Sequence, residues 1–135
     1  MTLPGLLADT GPLYAALDAD DALHGRALGD TQRIAVSRLT VLVLYSTLVE
    51  AYSLVLYRLG RRIAQRWLAE VTATAQVVNP SPNDYLDARD LIHRYADLPV
   101  SLCDAALAVL SARLDRPVWT YDHHFDALRV AVWRP

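Results

Sequence analysis

Apolar positions along the chain fall into short blocks separated by turn formers, and the blocks alternate between strand-like and helix-like lengths. Gly5-Leu6-Leu7-Ala8 is closed by Asp9 and followed by Thr10-Gly11-Pro12, which predicts a buried strand and then a helix through Leu17. The acids of residues 18–21 predict the cap of a second helix ending near Gly29. Residues 34–37 read as a second strand, and residues 40–59 as one long helix stopped at Gly60. A further helix is expected over 61–71 and a third strand over 75–78. Ser81-Pro82-Asn83-Asp84 has the form of a helix start, running to Ala96 before Leu98-Pro99 breaks it. Ser101 then caps a helix ending near Arg116-Pro117, followed by a strand at 118–121 and a short last strand at 130–133. Strands alternating with helices imply a single α/β domain over residues 1–135, with a parallel sheet covered on both faces.

Against this pattern four carboxylates stand out. Asp9 closes the first apolar run, Glu50 interrupts the longest, Asp104 opens Ala105-Ala106-Leu107, and Asp122 ends Val118-Trp119-Thr120-Tyr121. An ionised carboxylate beside a core element needs water, a donor or a cation. Open α/β sheets collect ligands beyond the carboxyl ends of their strands, where Asp9 and Asp122 are expected. Each acid also has a plainer explanation. Asp9 suits a helix cap and Asp104 completes a capping box with Ser101. Glu50 shares a helical face with Ser46, Thr47 and Ser53, and Asp122 suits a turn. The chain has only two glutamates, so one inside its longest apolar run favours the joint reading, a shared acidic pocket for a metal ion. Asp126 is a possible fifth member. Asp84, Asp87, Asp90 and Asp97 read as solvation of an exposed helix, and Cys103 as a small hydrophobe.

Composition narrows the chemistry. The 135 residues are 53% hydrophobic, enough for a real core, and the formal charge of -2 gives no global basic footprint. All thirteen basic residues are arginines. Without lysine, Schiff-base chemistry and the P-loop are excluded. Phospho-aspartate receivers and aspartyl phosphatases normally need a lysine as well. No G-x-S-x-G, G-x-G-x-x-G or H-E-x-x-H occurs, and the four histidines and Cys103 lack zinc-site spacing. Arg58, Arg61, Arg62 and Arg66 form a solvated helix face or a receiver of phosphates. One cysteine points to a reducing, cytoplasmic setting, and no signal peptide is expected at the N-terminus. The apolar stretch 41–57 approaches membrane-spanning length, but Glu50 at its centre favours a buried helix.

Taken in order, the strings Ala8-Asp9-Thr10-Gly11-Pro12-Leu13, Leu48-Val49-Glu50-Ala51, Asp97-Leu98-Pro99-Val100-Ser101-Leu102-Cys103-Asp104-Ala105-Ala106-Leu107 and Thr120-Tyr121-Asp122-His123-His124-Phe125 resemble the PIN domain. Its compact bacterial form is typified by VapC-type toxins. The resemblance implies a three-layer α/β/α sandwich with a central parallel sheet of about five strands. It also implies a Mg²⁺- or Mn²⁺-dependent endoribonuclease, the toxin of a toxin–antitoxin pair. Its acidic positions fall on Asp9, Glu50, Asp104 and Asp122, with Asp126 only sometimes acidic, and its hydroxyl positions on Thr10 and Thr120. Asp9 and Asp104 would ligate the metal directly and Asp122 directly or through water. Glu50 would orient water or bind a second ion. Apart from the resemblance, the loop histidines His123 and His124 could contact phosphate or metal, with His123 the substrate-binding candidate, although loop histidines more often do neither. The implied partners are RNA, a small antitoxin and a second copy of the chain. The helix carrying Tyr45, Tyr52 and Tyr57 would offer the apolar surface. The rival readings are a binding module whose acids have become structural, and a nuclease without an antitoxin.

Overall fold

The computed structural model describes residues 4–135; the first three residues of the N-terminal stretch lie outside it. Strand β1 (Gly5–Ala8) leads into helix α1 (Thr10–Ala15), and α2 (His24–Val36) into β2 (Thr40–Leu44). Helices α3 (Tyr45–Leu59) and α4 (Arg61–Thr74) precede β3 (Gln76–Val78), and α5 (Pro82–Arg94) and α6 (Leu102–Leu114) precede β4 (Val118–Trp119) and α7 (His124–Ala127). The strands are parallel and lie in the order β3-β2-β1-β4.

Successive side chains of each strand point to opposite faces, which sorts the core into two halves. Leu7, Leu44 and Val118 face Ala88 and Leu91 of α5, Ala105–Leu110 of α6, and Phe125. Leu6, Ala8, Val43 and Trp119 face Ile34 of α2, Leu48 and Ala51 of α3, and Trp67 and Val71 of α4. Strands buried on both faces have no polar alternation, so their apolar runs are continuous. The result is the expected α/β/α sandwich. At Gly5 the strands approach closely: a Cβ there would sit 2.8 Å from the Thr40 carbonyl oxygen and 2.9 Å from Leu42 Cδ1.

Several boundaries differ from the sequence pattern. Residues 34–37 are not a strand. Ala27, Asp30 and Ile34 fall on one buried helical stripe, and α2 runs past Gly29 until Arg38 adopts φ 55°. The second strand is instead Thr40–Leu44, the front of the stretch read as a single helix. An apolar run buried on all sides carries no period to separate strand from helix, and here the β-branched Thr40, Val41 and Val43 decide it. The acids of residues 18–21 shape the turn before α2 rather than cap it: Asp18 accepts from the Asp20 N–H and Asp21 from the Leu23 N–H. The sheet has four strands, and the expected fifth is reduced to one parallel bridge between Val118 and Val132.

Asp84 was read as solvation, yet it is 3% exposed. It closes the capping box of α5 with Ser81 and receives both Nε and a terminal nitrogen of Arg113, each at 2.9 Å. Burial alone would raise its pKa; the guanidinium and the Ser81 donors outweigh that and hold it below 3.8. This pair joins α5 to α6. Breaking a buried pair costs about 3–5 kcal/mol, and the half-exposed Arg113 reduces that to about 1–3 kcal/mol for Arg113→Ala. Because the folded pKa is depressed, the contribution is present above pH 3.8 and lost as pH falls through the folded value. Denaturant unfolding should therefore show the Arg113→Ala deficit in full at neutral pH and shrinking in acid.

Candidate active site

The strand order reverses between β1 and β4: β2 and β3 extend the sheet to one side of β1, and β4 joins the other. The crevice beyond the carboxyl ends of β1 and β4 is the topological switch point, the usual ligand site of an open parallel sheet. Three of the four acids arise beside it, Asp9 directly after β1, Asp122 three residues after β4, and Asp104 at the start of α6, whose chain returns to β4. Glu50 comes from the second turn of α3. All four line one cavity of about 390 Å³.

Asp9 is the deepest, 8% exposed. It caps α1, with Oδ1 accepting the Thr10 N–H at 2.8 Å, while Oδ2 accepts the Thr120 hydroxyl at 2.8 Å. Its own N–H donates to the Trp119 carbonyl, tying the turn to β4. Thr120 Oγ1 also accepts the Asp122 N–H at 3.0 Å. Asp122 Oδ1 accepts the His124 N–H and lies 2.9 Å from His124 Nδ1. Thr10, whose N–H meets Asp9, donates its hydroxyl to Glu50 Oε1 at 2.6 Å. Asp104 completes the capping box with Ser101. The capping and turn explanations are thus geometrically true of Asp9, Asp104 and Asp122, and they aim the same side chains into the cavity. Glu50 is exposed, as its solvated-stripe reading has it, whereas Thr47 of the same stripe is buried.

The acids feel one another. Burial raises Asp9 from 3.8 to about 6, against the lowering by Thr120 and Thr10, and the charges of Asp104 and Glu50 add to the rise. Asp104 is raised by burial first, against its Ser101 bonds, and then by Asp122 and Glu50. Cys103 points its thiol at the Ser46 carbonyl, and burial with the neighbouring acids pushes it up to about 12, so it stays a neutral thiol. Among the described residues no group of three His, Cys, Asp or Glu side chains is drawn together closely enough to hold a metal ion as the side chains stand. The donor set itself, hard carboxylate oxygens around a water-accessible cavity, fits Mg²⁺ or Mn²⁺, which retain waters and need few direct protein ligands. Asp9, Asp104 and Asp122 could hold such an ion, with Glu50 at its rim.

Thr10 lines the cavity and Thr120 lies behind Asp9. Asp126 is not brought in; its carboxylate pairs with Arg134 at 2.9 Å on the surface. His123 is exposed and does not line the cavity. Tyr14, Asp21, Tyr121 and Arg58 do, and of these only Arg58 carried a sequence signal, while Arg61, Arg62 and Arg66 lie away from it. A larger groove of about 1010 Å³ between α5, α6 and Leu128–Ala131 contains none of the four acids.

Asp9 gives the site a pH signature. Its folded pKa lies above its unfolded one, so stability falls as pH rises from about 4 to about 6, by roughly 3 kcal/mol at most. In EDTA, Asp9→Asn should melt higher than the native chain above pH 6, with the difference gone near pH 4. Thermal melts across that range check this; a variant less stable at every pH would contradict it.

The family model "PIN domain" matches residues 6–131. No curated protein sequence matches the chain. Among solved structures, the chain is similar to VapC20 of Mycobacterium tuberculosis, a sarcin–ricin-loop-cleaving toxin, with a TM-score of 0.84 at 23% identity over 97% of this chain and 100% of that one. It is also similar to VapBC2 from Rickettsia felis bound to a promoter DNA fragment (TM-score 0.73, 13% identity, 96% of each chain). A further likeness is to FitAcB from Neisseria gonorrhoeae (TM-score 0.67, 17% identity, 96% and 97%). These likenesses share the fold and the family model spans nearly the whole chain: the protein belongs to the PIN domain family.

Proposed function

We propose that the chain is a Mg²⁺- or Mn²⁺-dependent endoribonuclease acting as the toxin of a toxin–antitoxin pair. The observation that carries this reading is the convergence of Asp9, Glu50, Asp104 and Asp122 on one cavity at the switch point of the sheet. The likeness to an RNA-cleaving toxin supports RNA as substrate, and the likeness to VapBC2 supports an antitoxin partner.

A divalent ion, when bound, supplies positive charge to a phosphodiester and acidifies water. Asp9 and Asp104 would hold it directly and Asp122 directly or through water. Thr120 and the Thr10 N–H fix both oxygens of Asp9, so its remaining lone pairs have one orientation. Glu50, exposed and anchored by the Thr10 hydroxyl, would orient the attacking water or bind a second ion. His123, exposed and outside the cavity lining, would meet a phosphate only from the solvent side. Tyr45, Val49 and Tyr57 remain exposed on α3, an apolar surface for an antitoxin helix or a second copy. No described helix is long and apolar enough to cross a membrane.

That three of the acids already serve as caps or turn formers favours one rival, a binding module with structural acids. Calorimetry separates the two, because carboxylates that share an ion take up Mn²⁺ and lose that uptake in Asp104→Asn. Cleavage of RNA by the native chain should stop in EDTA and resume on adding Mg²⁺ or Mn²⁺. Asp9→Asn should cut the rate at least about a hundredfold, since even groups that only support metal ligands cost about 10–100-fold. Equal cleavage by Asp9→Asn in contaminant-free preparations would sink the proposal.

A further inference from the structure

An acidic cavity in a chain of net charge -2 repels the polyanion it is proposed to cut, so some cationic group must offset that at the cavity rim. Three of the thirteen arginines are engaged with carboxylates: Arg89 with Asp90, Arg113 with Asp84, and Arg134 with Asp126. Two others rest on aromatic rings, and both rings form the cavity wall. Arg26 of α2 places its guanidinium carbon 4.3 Å from the centroid of Tyr121. Arg58, in the last turn of α3, lies 5.3 Å from the centroid of Tyr14. Tyr14, Tyr121 and Arg58 line the cavity together with the four acids. Among the described residues neither arginine lies within salt-bridge distance of a carboxylate.

The rings themselves are pinned. The Tyr121 hydroxyl donates to Asp30 Oδ2 at 2.6 Å, the same oxygen that accepts the Trp119 indole N–H at 3.2 Å. The Tyr14 hydroxyl donates to Asp18, which lies near enough to feel Arg58 but takes its hydrogen bonds from Tyr14 and the Asp20 N–H. A guanidinium held over a ring by its charge still carries N–H donors for a further acceptor. Those donors match two oxygens of a phosphate. The geometry points to Arg26 and Arg58 as a pair of phosphate-binding residues that hold an RNA backbone at the rim of the acid cavity. This deepens the ribonuclease reading and rests on it.

The test is anisotropy of a short fluorescein-labelled single-stranded RNA in EDTA, over a KCl series, for the native chain, Arg26→Ala, Arg58→Ala and the double variant. Each single variant should weaken binding roughly five- to tenfold near 0.1 M KCl and the double variant more, with the slope of log K against log[KCl] reduced by about 0.7 per arginine removed. Arg26→Lys and Arg58→Lys should restore most of the slope but not the affinity. Arg89→Ala, removing an exposed arginine already paired with Asp90, should leave both unchanged. Unchanged affinity and slope in the double variant, an equal loss in Arg89→Ala, or no RNA binding by the native chain would overturn the assignment. Mn²⁺ calorimetry on the same proteins isolates the broader reading. The arginine variants should titrate like the native chain. A native chain that binds RNA through these arginines yet takes up no Mn²⁺ would defeat the metal-nuclease reading and leave the arginine assignment standing.

Discussion

The carboxylate of Asp9 is the joint on which the switch point is built. Its two oxygens take hydrogen bonds from α1 and from the residue after β4, and its backbone N–H continues the pairing with β4. Through Thr10 the same corner reaches Glu50 on α3, and through Thr120 it reaches Asp122. Two threonines therefore connect three of the four acids, each spanning elements far apart in the chain. The arrangement works against the ionisation of its own centre: burial raises Asp9 to about 6 even though both oxygens are hydrogen-bonded. A fold that maintains such a group is strained electrostatically at neutral pH, and a cation beside it would relieve the strain.

A comparison internal to the chain isolates what is unusual here. Ser81-x-x-Asp84 and Ser101-x-x-Asp104 build the same capping box with the same pair of hydrogen bonds. Their carboxylates nevertheless move in opposite directions, Asp84 down and Asp104 up. The local motif is identical, so the difference lies in what the free side of each acid meets. Asp84 meets the Arg113 guanidinium; Asp104 has no such partner among the described residues, so burial raises it and the charges of Asp122 and Glu50 add to the rise. The chain has arginines enough to pair every acid of the cavity, and in this corner it pairs none of them among the described residues.

This division also explains what the sequence could reveal. The layer order and both capping boxes were legible because they depend on local patterns, apolar runs and Ser-x-x-Asp spacing. The boundary at Leu44–Tyr45 was not, since a strand buried on both faces and a buried helix share one apolar signature. Ile34 misled for the opposite reason: a β-branched residue on a helical stripe resembles a strand when read over four residues. Asp9, Glu50, Asp104 and Asp122 were visible because carboxylates next to core runs are costly. The spacing of Asp84 from Ser81 was equally visible, but its partner Arg113 lies 29 residues on, and only the packing of α5 on α6 brings them together. Tyr121 with Arg26 and Tyr14 with Arg58 were hidden likewise, since a ring beneath a guanidinium leaves no sequence spacing.

The four acids form a gradient, from Asp9 in the core, through the half-buried Asp104 and Asp122, to Glu50 at the surface. Charge repulsion is costliest where water is least available, so the deepest acid carries the largest penalty and gains most from a cation. The outermost acid gains least and keeps its contact with solvent, which is the property a group that handles water needs. Thr10 couples the two ends of this gradient, holding Asp9 with its N–H and Glu50 with its hydroxyl. One residue at the start of α1 thus fixes the spacing between the buried and the exposed acid of the cavity. The sheet's switch point supplies the place, and this corner sets the geometry.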